Sequence, residues 1–166
     1  MRTAILIFAA AVAGFAGAAT AESLNYDELI PLDAEALAET GVKAAYDELL
    51  PTLRKYVPAP AEIHERIDSD VPSYSVSCLG TNYPIYDKND QDESWGRATF
   101  ALFDSVNRQL AKAGSQYRFF AINAGNELGA MFLKPEQAEA AKQSLARKVE
   151  WPYLPVDRKP WYGQSH

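Results

Sequence analysis

Polar and apolar residues alternate strictly over positions 73–78, where serines occupy 73, 75 and 77 and Tyr74, Val76 and Cys78 lie between them. Successive side chains of a β-strand point to opposite faces, so the alternation predicts a strand with one buried and one solvated face. A single hairpin is only marginally stable in water, and this strand therefore needs further strands and a covering layer. We expect a sheet that is packed against helices.

After residue 72 the chain shows two successive units, each of a hairpin followed by a helix. Pro84 has no N–H group to donate, which places the second strand at the edge of a sheet. Residues 94–113 predict a helix that ends at Gly114 and has one apolar stripe. The stripe consists of Thr99, Leu102, Phe103, Val106 and Leu110. The predicted strands span 73–78, 83–87, 117–123 and 128–133, and the last helix spans 136–146.

Before residue 72 the apolar residues follow helical spacing instead. Asp33 can cap a helix that continues to about Leu50, where Pro51 interrupts it. Residues 61–67 predict two further helical turns. Together these patterns give an α+β fold in which N-terminal helices precede a ββαββα arrangement. We expect its four strands to form one antiparallel sheet with helices on one face.

The first 21 residues have the parts of a secretory signal peptide. Arg2 supplies a positive charge, residues 4–18 are apolar, and small residues occupy positions 19 and 21. The apolar run is shorter than the roughly 20 residues of a membrane-spanning helix, so no membrane anchor is expected after cleavage. We therefore divide the chain into a signal peptide at 1–21, a single α+β domain at 22–146 and a Pro- and aromatic-rich tail at 147–166. The expected location is periplasmic or secreted.

Composition and motifs exclude several classes of protein. The formal net charge is −6 and the basic residues are not clustered, which argues against a nucleic-acid partner. The single cysteine, Cys78, falls on the apolar side of the first predicted strand, where a thiol acts as a small core residue. The known nucleophile, phosphate-loop and dinucleotide motifs do not occur. We predict no catalytic residue and no cofactor, and the sequence leaves open whether the protein is an enzyme.

Two patterns are similar to metal sites, but both are incomplete. If residues 61–67 were helical, His64 and Asp68 would share one face with Glu65 alongside, yet no third ligand is evident. The acidic loop at 87–92 spaces its oxygens as a calcium loop does, but glycine and glutamate are missing from the positions that need them. We predict no metal site, and the sequence does not decide whether the three residues around His64 form another kind of site.

The segment 93–97 places a tryptophan, an arginine and free backbone N–H groups at the start of a predicted helix, an arrangement that favours anions. The alternative is structural. Trp95 would then pack back onto the sheet and Arg97 would pair with a loop carboxylate, which the high average burial of tryptophan favours.

The tail contains two clusters of proline and aromatic residues, at 151–155 and 160–163. Such a composition is typical of an extended ribbon. We expect the first cluster to wrap the domain. The second either packs as well or leaves Trp161 and Tyr162 free to stack on a sugar or to anchor in a partner.

These features lead to one prediction of function. We expect an exported, soluble, non-catalytic module of the bacterial periplasm that binds a protein partner in the cell envelope, of the inhibitor or immunity type. The predicted binding residues are Trp95, Arg97, Trp161 and Tyr162. The acidic charge suits a basic partner, because complementary charge speeds encounter. The sequence does not reveal the oligomeric state.

Two alternatives stay open. The first is a small exported hydrolase or ligand-binding enzyme with His64, Glu65 and Asp68, or Glu93 and Arg97, in a cleft; it requires His64 or Glu93 to converge with a second titratable group. The second is a glycan-binding protein of the cell envelope, which requires Trp161 and Tyr162 to be coplanar and exposed. The geometry of these side chains distinguishes the three possibilities.

Overall fold

The computed structural model describes residues 24–166, which form an α+β fold of four α-helices and two three-stranded antiparallel sheets. The predicted signal peptide lies outside these residues. None of the described helices has both the length and the apolar character that crossing a bilayer requires. The elements are β1 (Ile30–Pro31), α1 (Ala34–Glu39), α2 (Val42–Leu53), β2 (His64–Asp68), β3 (Ser73–Cys78), β4 (Thr81–Tyr86), α3 (Ser94–Lys112), β5 (Arg118–Ile122), β6 (Gly129–Leu133) and α4 (Pro135–Ser144).

The first sheet has the strand order β2-β3-β4. The predicted alternation in β3 is confirmed, because Tyr74, Val76 and Cys78 are buried and the serines between them are half-buried. β4 lies at an edge of this sheet, as the proline at position 84 predicts. Its Tyr83 hydroxyl donates a hydrogen bond of 2.7 Å to Asp104 on α3.

The predicted helix at 61–67 is wrong, because His64–Asp68 forms the strand β2. His64 lies opposite Ser77 and Asp68 opposite Ser73 in an antiparallel pair with β3. These five residues have no apolar periodicity of their own. Their conformation is therefore set by the hydrogen-bonding edge that β3 offers, a contact that local spacing does not reveal.

The second sheet has the strand order β1-β6-β5 and is covered on both faces. Phe119 and Phe132 belong to the main core, whereas Phe120 and Met131 pack with Ala138 and Ala141 of α4. All five residues of β6 are buried. Two covered faces explain why β6 has no polar alternation in its sequence.

The prediction of one four-stranded sheet with helices on one face is corrected to two three-stranded sheets. β1 pairs with the hairpin of β5 and β6, and β2 pairs with the hairpin of β3 and β4. These two added strands mean that the element order does not match ββαββα exactly. α3 contacts both sheets. Its Phe103 ring stacks on Phe119 of β5 with centroids 4.7 Å apart, while its Asp104 accepts the hydrogen bond from β4.

The predicted helix from Asp33 to Leu50 is divided into two helices. Asp33 caps α1 as predicted, accepting from the N–H groups of Glu35 and Ala36 at 2.9 and 3.1 Å. The break comes at Gly41, whose φ of +124° favours glycine. Pro51 does not end the second helix, which contains it and continues to Leu53.

The first turn of α2 is capped by side chains from the first sheet. The Tyr74 hydroxyl accepts from the Val42 N–H at 2.8 Å, and the Glu65 carboxylate accepts from the Lys43 N–H at 2.8 Å. Tyr74 also donates to Glu65. A Cβ atom at position 41 would lie 3.0 Å from both carboxylate oxygens, so glycine makes room for this cap. We call this arrangement the closed start of α2.

Candidate binding site

The first part of the tail is bound to the second sheet. Tyr153 exchanges two backbone hydrogen bonds with Ala121 of β5, at 2.8 and 3.0 Å. Its hydroxyl donates to the Asn123 carbonyl at 2.9 Å, and the Trp151 indole N–H donates to the Leu145 carbonyl at 3.1 Å. Burial raises the pKa of Tyr153 to about 12. These contacts hold the tail against the domain and set the direction in which it continues.

The second part of the tail, residues 156–164, closes on itself and is called the tail loop here. The Val156 N–H donates to the Tyr162 carbonyl at 2.9 Å, and the Tyr162 N–H donates to the Arg158 carbonyl at 3.0 Å. The Gln164 side chain reaches the Val149 carbonyl at 3.2 Å. Hydrogen bonds therefore hold the backbone of the tail loop before and after Trp161 and Tyr162.

Tyr162 fixes the tail loop on the first turn of α3. Its side chain is only 5% exposed and lies over Gly96. A Cβ atom at position 96 would come within 2.2–2.8 Å of three ring atoms, so only glycine admits the ring in this position. Tyr162 is thus a structural anchor.

Arg97 lies behind this contact. Its side chain is 15% exposed, and the guanidinium forms an ion pair of 2.5 Å with Asp90 and donates to the Ile85 carbonyl at 3.2 Å. Burial raises the pKa of Tyr162, and the nearby Arg97 guanidinium partly offsets that rise. The structural alternative for Arg97, pairing with a loop carboxylate, therefore matches the contacts observed.

Trp95 is not part of the buried core. It is 38% exposed, and it shares a cavity of about 490 Å³ with Trp161, which is 58% exposed. The two indoles come from distant parts of the chain, one from the first turn of α3 and the other from the tail loop. The ring of His166 lies against Trp161 with centroids 3.8 Å apart.

Glu93 contributes the only charged side chain to the walls of this cavity within residues 24–166. It is the N-cap residue of α3, with φ of +65°, and it makes no side-chain cap. The N–H groups of Ser94, Trp95 and Gly96 donate no hydrogen bond to any described residue. We call residues 93–96 the open start of α3.

The residues suggested for a hydrolase do not converge. His64 is exposed on β2, 4.0 Å from the exposed Glu62, while Glu65 caps α2. Asp68 caps the following turn by accepting from the N–H groups of Asp70 and Val71 at 3.0 Å. His64 and Asp68 lie four residues apart on a strand, a separation of about 13 Å along the chain. Over the described part of the chain, no group of three or more potential ligands is close enough to hold a metal ion.

Two further candidates have structural contacts. Cys78 is buried in the core, where burial raises the pKa of its thiol, and it accepts from the Gln109 amide at 3.7 Å. Asp87 of the acidic loop accepts from the N–H groups of Asn89 and Asp90 at 2.7 and 3.1 Å. The loop carboxylates thus cap a turn and pair with Arg97.

The structure joins all four predicted binding residues around the first turn of α3, but it gives them different surroundings. Trp95 and Trp161 face a shared cavity, whereas Tyr162 and Arg97 are largely enclosed. The role of Gly96 was missed. An isolated glycine in the first turn of a helix is a signal of close packing that the sequence did contain.

Comparisons of the chain with protein-family models, with curated proteins and with solved structures found no match.

Proposed function

We propose that the chain is an exported, non-catalytic binding module of the inhibitor or immunity type, and that it docks a protein partner on the tail loop and the open start of α3. The observation that carries this proposal is the distribution of exposed apolar side chains. Seven large apolar side chains are exposed among the described residues; three of them belong to this region and a fourth, Leu154, lies two residues before the tail loop. The three are Trp95, Val156 and Trp161.

Concentrated exposed apolar surface is typical of sites that bind other molecules. Tryptophan is enriched among the residues that contribute most to protein interfaces, where it fills a pocket or presents a large rigid face. The Tyr162 anchor on Gly96 holds the loop in one position before any partner arrives. Such preorganisation lowers the entropy that association costs.

The geometry supports a binding module over the two alternatives. A hydrolase needs a second titratable group that converges with His64 or Glu93 in a cleft. The carboxylate nearest His64 is that of Glu62 at 4.0 Å, but both side chains are largely exposed, and the cavity wall at Glu93 contains no second carboxylate, histidine or cysteine among the described residues. A flat glycan platform needs Trp161 and Tyr162 exposed together, but Tyr162 is buried. Export to the periplasm, with a partner in the cell envelope, is proposed from the apolar segment within residues 1–21.

Site-specific photocrosslinking tests the docking surface. A benzophenone side chain at Val156 reports on the tail loop, and the same group at Ile67 on β2 is the matched control, since both positions are exposed. We expect a crosslinked product of defined mass from a cell-envelope extract at Val156 and not at Ile67. Trp161→Ala in the Val156 crosslinking protein should abolish it. Equal products at both positions, or none at Val156, would contradict the proposal.

A further inference from the structure

Resting on the proposed function, we infer that the cavity between Trp95 and Trp161 receives a basic side chain of the partner, an arginine or a lysine, with Glu93 as its counter-charge. The inference depends on three properties of the cavity. Its walls are aromatic, they contain one charged side chain, and no neighbouring basic side chain pairs with that charge among the described residues.

The aromatic walls suit a cation. The electron-rich face of an indole attracts a guanidinium or ammonium group more strongly than the rings of tyrosine or phenylalanine do. Trp95 and Trp161 both line the cavity and are both exposed; the ring of His166, which is not among the wall residues, covers part of Trp161. A volume of about 490 Å³ is ample for one long side chain.

The charge on the walls is negative. Glu93 is half-buried, and it forms no salt bridge with any described residue. The first turn of α3 opposes it, since a helix N-terminus has the effect of about half a positive charge. The full negative charge of the Glu93 carboxylate exceeds that half positive charge, so the net charge at the cavity is negative and favours a cation.

Neighbouring positive groups do not supply the missing partner. The Arg97 guanidinium is paired with Asp90 and is not part of the cavity wall. Arg158 and Lys159 precede Pro160 in the tail loop, but their side chains are exposed and outside the wall as well. The overall net charge of −6 would also attract a basic partner from a distance.

Two capped tripeptides test this directly: acetyl-Gly-Arg-Gly-amide and its citrulline counterpart, which has nearly the same shape and no charge. Binding is followed through the indole N–H signals of Trp95 and Trp161 in NMR spectra of the full chain. Trp151 is an internal reference, because its N–H is bonded to the Leu145 carbonyl and it lies outside the cavity. We expect the arginine peptide to shift both cavity signals and to bind at least five-fold more tightly than the citrulline peptide.

Glu93→Gln should remove that difference, and the neighbouring Asp92→Asn should keep it. Equal binding of the two peptides, a difference that survives Glu93→Gln, or no shift with arginine would overturn the inference. An N-acetylglucosamine oligomer that shifts the signals when arginine does not would overturn it in favour of a glycan. If the Val156 crosslink persists while the peptides bind equally, the cation is excluded and the docking surface stands; loss of the crosslink itself would exclude the docking surface.

Discussion

The first N–H groups of α2 and α3 differ in whether side chains accept their hydrogen bonds. Each helix has a glycine in or beside the first turn, and each glycine admits a side chain from a distant part of the chain. At Gly41 that side chain is Glu65, which together with Tyr74 accepts from the first N–H groups of α2. At Gly96 it is Tyr162, whose ring fills the space and leaves the N–H groups of α3 without partners among the described residues.

This difference separates a structural contact from a candidate site. The closed start of α2 links a helix to the first sheet and occupies the donors that a ligand would need. The open start of α3 instead faces a cavity with two exposed tryptophans. The same residue type thus makes room for a cap at α2 and for an aromatic ring beside the candidate site at α3.

The largest effect on stability is expected for Gly96→Ala, which removes the seat of Tyr162. Losing the burial of one aromatic side chain should cost about 2 kcal/mol in the free energy of unfolding. Urea denaturation measures this cost, and limited proteolysis detects the released tail loop. In a Tyr162→Ala background, Gly96→Ala should no longer destabilise the protein, because the ring that would clash is absent and alanine has a higher helix propensity than glycine. An equal cost in both backgrounds would show that the ring is not the cause.

Tyr74→Phe tests the closed start of α2. It leaves the Val42 N–H buried without its acceptor and removes one donor from Glu65, which should cost about 1–2 kcal/mol. Tyr86→Phe, on the neighbouring strand of the same sheet, is the matched control and should cost less than about 0.5 kcal/mol. Indistinguishable urea midpoints for the two variants would argue against the cap.

The same tyrosine makes stability sensitive to alkaline pH. Burial, followed by the hydrogen bond to Glu65, raises the pKa of Tyr74 above its ordinary value near 10. The stabilisation is therefore complete below about pH 10 and is lost as the pH rises toward the folded-state pKa. Tyr74→Phe should accordingly lose less stability than the natural protein between about pH 8 and pH 11 in urea denaturation. Identical losses would exclude Tyr74 as the group responsible.

The smallest effect on stability is expected for Trp161→Ala. The side chain is exposed, so its removal should change the free energy of unfolding by no more than about 0.5 kcal/mol. Thermal denaturation of this variant beside Trp151→Ala, which loses a hydrogen bond to Leu145, checks the contrast. A larger loss for Trp161→Ala than for Trp151→Ala would mean that Trp161 is part of the packing rather than of a docking surface.

Sequence patterns correctly predicted the elements whose conformation depends mainly on residues within the element. The alternation in β3, the cap at Asp33 and the apolar stripe of α3 are all confirmed. α3 also buries small and polar residues beside that stripe, such as Ala101, Ser105 and Gln109, because it contacts both sheets. Apolar periodicity cannot reveal a second contact made by such residues.

Contacts between separate elements explain most of what was missed. β2 is a strand because β3 pairs with it. The four predicted strands lie in two sheets, one extended by β1 and the other by β2. The candidate site has the same origin. The sequence singled out Trp95 and Trp161, but their shared cavity depends on the pairing of Tyr153 with Ala121 and on the fit of Tyr162 over Gly96.

The affinity of the partner captured at Val156 tests the central claim most directly, measured by calorimetry for the natural protein, Trp161→Ala and Ile67→Ala. We predict at least about a ten-fold weaker Kd for Trp161→Ala, as for a residue central to an interface, and an unchanged Kd for Ile67→Ala. Equal affinities for all three proteins would contradict the account of the tail loop and the open start of α3 as the docking surface.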